Sequence, residues 1–180
     1  MSARTIDQLL HDENIPLCFD TNAIFGSRAG PELLRKIRER FRARKLLIPA
    51  WVVAERSRQL KMQYGTRFNR SLIEGFLADP ELELELLAFD RDVALSGWLD
   101  VVERFQDNEW RWEEQPTSKP RPCAERCRTG DHIVYALALA HRALLVTGDK
   151  PLLRQVAADG AYPGAIGVDR LRALLPDLPD

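Results

Sequence analysis

Four carboxylates sit where they could act together. Asp20 directly follows the apolar LCF in LCFDTNAI, and Asp149 closes LLVTGD. Both read as acids at the carboxyl end of a buried strand, where an ionised side chain is costly unless it is paired or faces water. Glu55 falls in PAWVVAERSRQL, in the first turns of a helix after the short apolar run KLLIP, and Asp131 opens the helix in TGDHIVYALALAHRA. Singly, each has an ordinary explanation. Asp131 is a first-turn carboxylate worth about 0.5–2 kcal/mol at a helix N-terminus. Glu55 is a solvated helix residue, and Asp149 is a cap for the helix that Lys150 and Pro151 begin. Together they repel: two unit charges about 4 Å apart cost about 4 kcal/mol at an effective dielectric of 20. A multivalent cation removes that penalty, and all-oxygen donors select the hard ions Mg²⁺ or Mn²⁺. The chemistry such a site supports is in-line attack of metal-activated water on a phosphodiester.

The elements that must bring these acids together alternate along the chain. After the strand ending at Phe19, PELLRKIRERF has proline at a helix start and Leu33, Leu34, Ile37 and Phe41 at helical spacing. KLLIP is a second strand, and WVVAERSRQLKMQYG a helix that Gly65 can stop. TRFNRSLIEGFLADP makes a further helix ended by Pro80, and LELELLAFD alternates with period two as a half-exposed strand. RDVALSGWLDVVERF is helical, residues 106–128 form a loop excursion rather than a second domain, and GDHIVYALALAHRA is a helix. The strand LLVTGD, a short helix around PLLRQVA and the strand AIGVD complete the order. Strands alternating with helices predict one α/β domain over residues 1–180 with a central, mostly parallel sheet of four to five strands covered on both faces. Ligands in such sheets lie outside the carboxyl ends of the strands, which is where Asp20 and Asp149 fall.

Composition bounds the setting. The 180 residues are 45% apolar and 29% charged with a net charge of −1, as in a globular protein with its own core. Three cysteines without a disulfide-type spacing, no signal-like start and no run near the roughly 20 apolar residues of a membrane span predict a cytoplasmic protein without a membrane partner. Charge is asymmetric: residues 28–45 carry eight Lys and Arg against Glu32 and Glu39, whereas 74–109 are acidic. A basic face beside an acidic one fits a nucleic-acid partner, although a solvated helix face is the commoner reason for such a charge run. Other chemistries fare worse. The residue two after Asp20 is Asn22, so a D-x-D-x-T phosphatase loop is absent, as is a phosphate-cradling G-x-x-x-x-G-K-[ST]. His132 and His141 project about 180° apart on one helix and cannot share a metal. Cys123 and Cys127 lack two further zinc ligands. Trp110 and Trp112 can stack on bases, although packing is the commoner use of such residues.

FDTNAI, the Glu in PAWVVAERSRQL, and TGDHIVYALALAHRALLVTGDKPLL, with the strand–helix order between them, resemble the PIN-domain nucleases over about residues 15–170. The nearest resemblance is to VapC-type toxin ribonucleases of toxin–antitoxin pairs. It implies a three-layer α/β/α fold, Mg²⁺- or Mn²⁺-dependent endoribonuclease activity, and catalytic acids at Asp20, Glu55, Asp131 and Asp149, of which Asp20, Asp131 and Asp149 hold metal. It also implies supporting roles for Asn22 and Thr147, a homodimer, and an antitoxin partner. The excursion at 106–128 is longer than such toxins usually carry, and Leu152 and Leu153 stand where an aromatic often follows the last acid. Arg38, Arg42, Lys45, Arg56 and Arg58 are the expected contacts to the RNA backbone. An RNA-processing enzyme, a DNA nuclease and a non-catalytic binding module of the same fold are the alternatives.

Overall fold

Three buried residues, Leu17–Phe19, form β1, and the sheet extends to either side of them. The computed structural model of the chain describes residues 5–25, 30–93 and 129–174. Around β1 the chain runs α1 (Ile6–His11), α2 (Thr21–Phe25), α3 (Gly30–Arg40), β2 (Leu46–Pro49), α4 (Ala50–Tyr64) and α5 (Ser71–Leu77). It continues through β3 (Leu84–Leu87), α6 (Arg91–Val93), α7 (Thr129–Ala140), β4 (Leu144–Thr147), α8 (Lys150–Asp159), β5 (Ala165–Gly167) and α9 (Val168–Leu174). Beyond α6, the helix expected through RDVALSGWLDVVERF lies outside the described residues. So does the excursion at 106–128, with Trp110, Trp112, Cys123 and Cys127.

All five strands are parallel, in the order β3-β2-β1-β4-β5, flanked by helices in a three-layer α/β/α arrangement. β1, β2 and β4 are buried along their whole length, which is why they read as unbroken apolar runs. β3 and β5 are the edges, and β3 keeps the exposed glutamate that gave its sequence an alternating character. Strand order reverses between β1 and β4. There the crossovers lead away in opposite directions, opening a crevice at the carboxyl ends.

Local chemistry explains the departures from expectation. A capping box between Thr5 and Gln8 starts α1, a helix too short for periodicity to reveal. The helix expected over 66–80 is confined to Ser71–Leu77, after a 3₁₀ turn at Gly65–Arg67. The Asn69 side chain accepts from Ser71 N (3.0 Å) and Ser71 Oγ (2.7 Å), a local turn that competes with the helix. Gly65 does end α4, at φ +57°. No helix among the described residues is long and apolar enough to cross a membrane.

The charge asymmetry is largely internal pairing. Arg35 lies 3.3 Å from Asp79 and 3.9 Å from Glu81, and Lys45 lies 3.2 Å from Glu85. Arg38, with 12% of its side chain exposed, donates to the carbonyls of Leu82, Glu83, Arg42 and Arg44. Arg44 is fully buried; it donates to Ile15 O (2.7 Å), Leu9 O (3.0 Å) and Leu10 O, and so caps α1 and ties it beneath the sheet. Burial pushes its guanidinium down to about 10, while Asp12 and Glu13 act in the opposite sense, so it remains charged at neutral pH. Arg44→Met should therefore lower the unfolding free energy by about 2–4 kcal/mol, because it strands three carbonyls. Arg42→Ala, two residues away and exposed, should stay within about 0.5 kcal/mol. Urea unfolding of the two variants measures the contrast.

Candidate metal centre

The Asp20 carboxylate is 2% exposed at the carboxyl end of the central strand. Its backbone N–H donates to Val146 O at 3.0 Å, which locks it to β4 across the switch point. Its Oδ1 accepts from Thr21 N (2.6 Å), and its Oδ2 accepts from the Thr147 hydroxyl (2.7 Å). Thr147, the last residue of β4, also accepts from Asp149 N at 3.0 Å. One buried hydroxyl therefore fixes Asp20 and the backbone that carries Asp149. The Asp149 side chain caps α8, accepting from Leu152 N at 2.8 Å through Oδ1. The capping explanation for this residue is therefore correct, and it leaves Oδ2 outside that bond.

Glu55 arrives from the other side. It lies in the second turn of α4, which starts straight from β2, and its Oε2 accepts from the Thr21 hydroxyl at 2.5 Å. Thr21 is buried and was not singled out from the sequence; its signal is a β-branched hydroxyl directly after the strand-end acid, in D-T-N. Asn22 is exposed at the crevice rim, where a Cβ on Gly148 would stand 3.5 Å from its own Cβ. Asp131 occupies the first turn of α7. That turn abuts α4, since a Cβ on Gly130 would fall 2.4 Å from Trp51 Nε1. Only glycine admits this approach, and it sets Asp131 beside the helix that carries Glu55.

Asp20 senses its neighbours electrostatically. Burial pushes its carboxyl up to about 6; the hydrogen bonds from Thr147 and Thr21 pull down, and the charges of Glu55 and Asp149 push up further. Among the described residues, no three His, Cys, Asp or Glu side chains stand as a ready-made cage. Asp20, Asp131 and Asp149 thus do not converge as tightly as the expectation of three direct metal ligands required. The donor chemistry nevertheless fits a hard divalent cation, which keeps several waters and needs only one or two carboxylates. Among the described residues, the donors gathered around Asp20 are oxygen atoms. Burial and the charge on Asp20 push the Cys18 thiol up, so that it stays neutral in the core. His132 is buried with Nε2 3.3 Å from Gln155 Oε1, and His141 is exposed.

The expected RNA contacts divide. Arg38 is spent on backbone carbonyls and is corrected to a structural clamp. Lys45 directly precedes β2, and its carbonyl accepts from Leu17 N, so it marks the amino ends of the strands. Arg38 and Arg42 neighbour it there, about 13 Å from the acids over a four-residue strand. This run therefore cannot line the same crevice. Arg56 and Arg58 do lie on the acid side, in α4. The Arg56 guanidinium stacks 5.2 Å from the centre of the Phe25 ring and bonds Gln59 at 3.3 Å, and Arg58 is exposed.

A carboxyl whose folded value lies above its unfolded value near 3.8 binds its proton more tightly in the native state. Its contribution is full below about pH 4 and is lost as pH rises towards 6, a fall of about 3 kcal/mol for a shift of about two units. Unfolding in EDTA between pH 4 and pH 8 should show this fall in the wild type relative to Asp20→Asn, in which it disappears.

No curated protein matches the chain. The family model of the PIN domain does, over residues 17–158, from the first residue of β1 into α8 and across Asp20, Glu55, Asp131 and Asp149. PIN domains have a nuclease fold, generally metal-dependent and usually served by divalent ions such as Mg²⁺. With its all-parallel sheet, its strand-end acids and a match over most of its length, the chain belongs to the PIN domain family.

Proposed function

We propose that this chain is a metal-dependent endoribonuclease and that it serves as the toxin of a toxin–antitoxin pair. The observation that carries the nuclease reading is the gathering of Asp20, Glu55 and Asp149 at the switch point, with Asp20 pushed up to about 6 by burial and by the other two charges. The two hydrogen bonds to Asp20 do not outweigh its desolvation, and a divalent cation would offset the remaining repulsion. Asp20 and Asp149 would hold Mg²⁺ or Mn²⁺, with Asp131 and Glu55 reaching it directly or through water. When bound, the ion would supply a nucleophilic water at neutral pH and charge neutralisation at the scissile phosphate.

The residues themselves do the positioning. The Thr147 hydroxyl donates to Asp20 and accepts from Asp149 N, and so ties Asp20 to the start of α8. Thr21 holds Glu55 towards Asp20. The RNA and toxin elements rest on the resemblance of FDTNAI and TGDHIVYALALAHRALLVTGDKPLL to VapC-type ribonucleases, as do the homodimer and the antitoxin partner. An Arg on an antitoxin tail would suit such an acidic crevice.

Single-stranded RNA should be cleaved only with added Mg²⁺ or Mn²⁺ and not in EDTA. Asp20→Asn should reduce cleavage to background and leave the metal-free protein at least as stable. Its amide can donate to Thr147 Oγ1 while its oxygen keeps the Thr21 N–H. Mg²⁺ should raise the melting temperature of the wild type by mass action and that of the variant much less. Cleavage that persists in chelator would remove the mechanism. Induction in a bacterial host should arrest growth, with relief by a co-expressed neighbouring gene product. Vigorous growth with active enzyme present would place the chain among RNA-processing nucleases instead.

A further inference from the structure

Trp51 remains 41% exposed in the first turn of α4, at the rim of the acidic crevice. Its place there is held: the pyrrole part of the indole (Nε1, Cε2 and Cδ1) lies against Gly130, where a Cβ would meet those atoms at 2.4, 3.1 and 3.4 Å. Trp51 is also four residues before Glu55, so the two side chains share one helix face. The same face continues through Arg58 and the exposed Met62, within an arc of about 60° at 100° per residue. The core-facing side of α4, with Val52 and Leu60, lies elsewhere around the helix. A rigid, half-open aromatic one helical turn from an acid of the site, followed by a cation on the same stripe, matches the way single strands are bound. Bases stack on an aromatic, and the backbone runs past basic groups.

From this geometry we infer that Trp51 is a stacking platform for an unpaired base of the RNA substrate, next to the nucleotide being cut. The inference rests on the ribonuclease reading above and adds a substrate form to it: the strand must be single, because a paired base cannot present its face. Stacking is present in the bound ground state and persists in the transition state. The residue therefore contributes to KM rather than to kcat.

The test uses the full chain and a single-stranded RNA longer than the roughly 4–16 nucleotides such surfaces cover. Binding is measured in EDTA with Asp20→Asn present, and steady-state cleavage with Mg²⁺ in the otherwise wild-type protein. Trp51→Ala should weaken binding and raise KM by about tenfold; because it also removes the contact with Gly130 beside Asp131, kcat is read in Trp51→Leu, where it should be nearly unchanged. The slope of affinity against salt should not change, since no phosphate contact is lost. Trp51→Phe should retain most of the affinity. Trp51→Leu, which keeps apolar bulk over Gly130, should lose as much as Trp51→Ala and guards against a folding defect in the smaller variant. On an abasic ribose-phosphate chain of equal length, wild type and Trp51→Ala should bind alike. If RNA is cleaved but Trp51→Ala or Trp51→Leu matches the wild type in KM and affinity, the indole is only a packing wedge and the inference is overturned. A wild type that neither binds nor cleaves single-stranded RNA would instead overturn the ribonuclease reading, and the stacking role with it.

Discussion

A carboxylate buried at the end of the central strand is the constraint that organises this molecule. Asp20 keeps its charge only through bonds from Thr21 N–H and Thr147 OH, and burial still outweighs them and lifts its pKa to about 6. The same two threonines reach the other acids, since the Thr21 hydroxyl donates to Glu55 and Thr147 Oγ1 accepts from Asp149 N. Three acids from three separate elements are thus coupled through two buried hydroxyls. The position of each depends on bonds that also position Asp20. A perturbation at either threonine would propagate to the whole group.

The two ends of the sheet are built on opposite electrostatic principles. At the amino ends, cations meet acceptors: Arg44 caps α1, Arg38 gathers four carbonyls, and Lys45 and Arg35 pair with acids near β3. At the carboxyl ends, acids meet acids. Charge is largely compensated at the amino ends, whereas Asp20 at the carboxyl ends faces the uncompensated charges of Glu55 and Asp149. This separation is physically sensible because the short strands still keep the two regions about 13 Å apart, beyond a Debye length of roughly 8 Å at physiological ionic strength.

Helix α4 connects the acid group to the surface. It begins directly at the end of β2, contributes Glu55 to the acids, packs Trp51 on the first turn of α7 and stacks Arg56 on Phe25 of α2. Through these contacts one helix couples the elements carrying Asp20 and Asp131. Gly130 is as important to this as any acid. A side chain there would displace the indole and separate α4 from the first turn of α7, which carries Asp131.

Much of this was legible in the residues alone. Unbroken apolar runs marked β1, β2 and β4, because strands buried on both faces need no polar positions. An acid immediately after such a run singled out Asp20, because burial makes that placement costly without a purpose, and Asp149 closes LLVTGD two residues beyond β4. The alternation of elements then implied a parallel sheet. What the sequence could not show depended on contacts between distant segments. The basic run at 28–45 looks the same in one dimension whether it faces a nucleic acid or pairs internally, and only the packing of α3 against the segment before β3 showed that Arg38 and Arg35 are already occupied. Thr21 gains its meaning from Glu55, 34 positions away, and Gly130 and Trp51 gain theirs from each other. Local periodicity reports which side of an element is apolar. Which side chains meet across elements is decided by topology, and here by the reversal of strand order between β1 and β4.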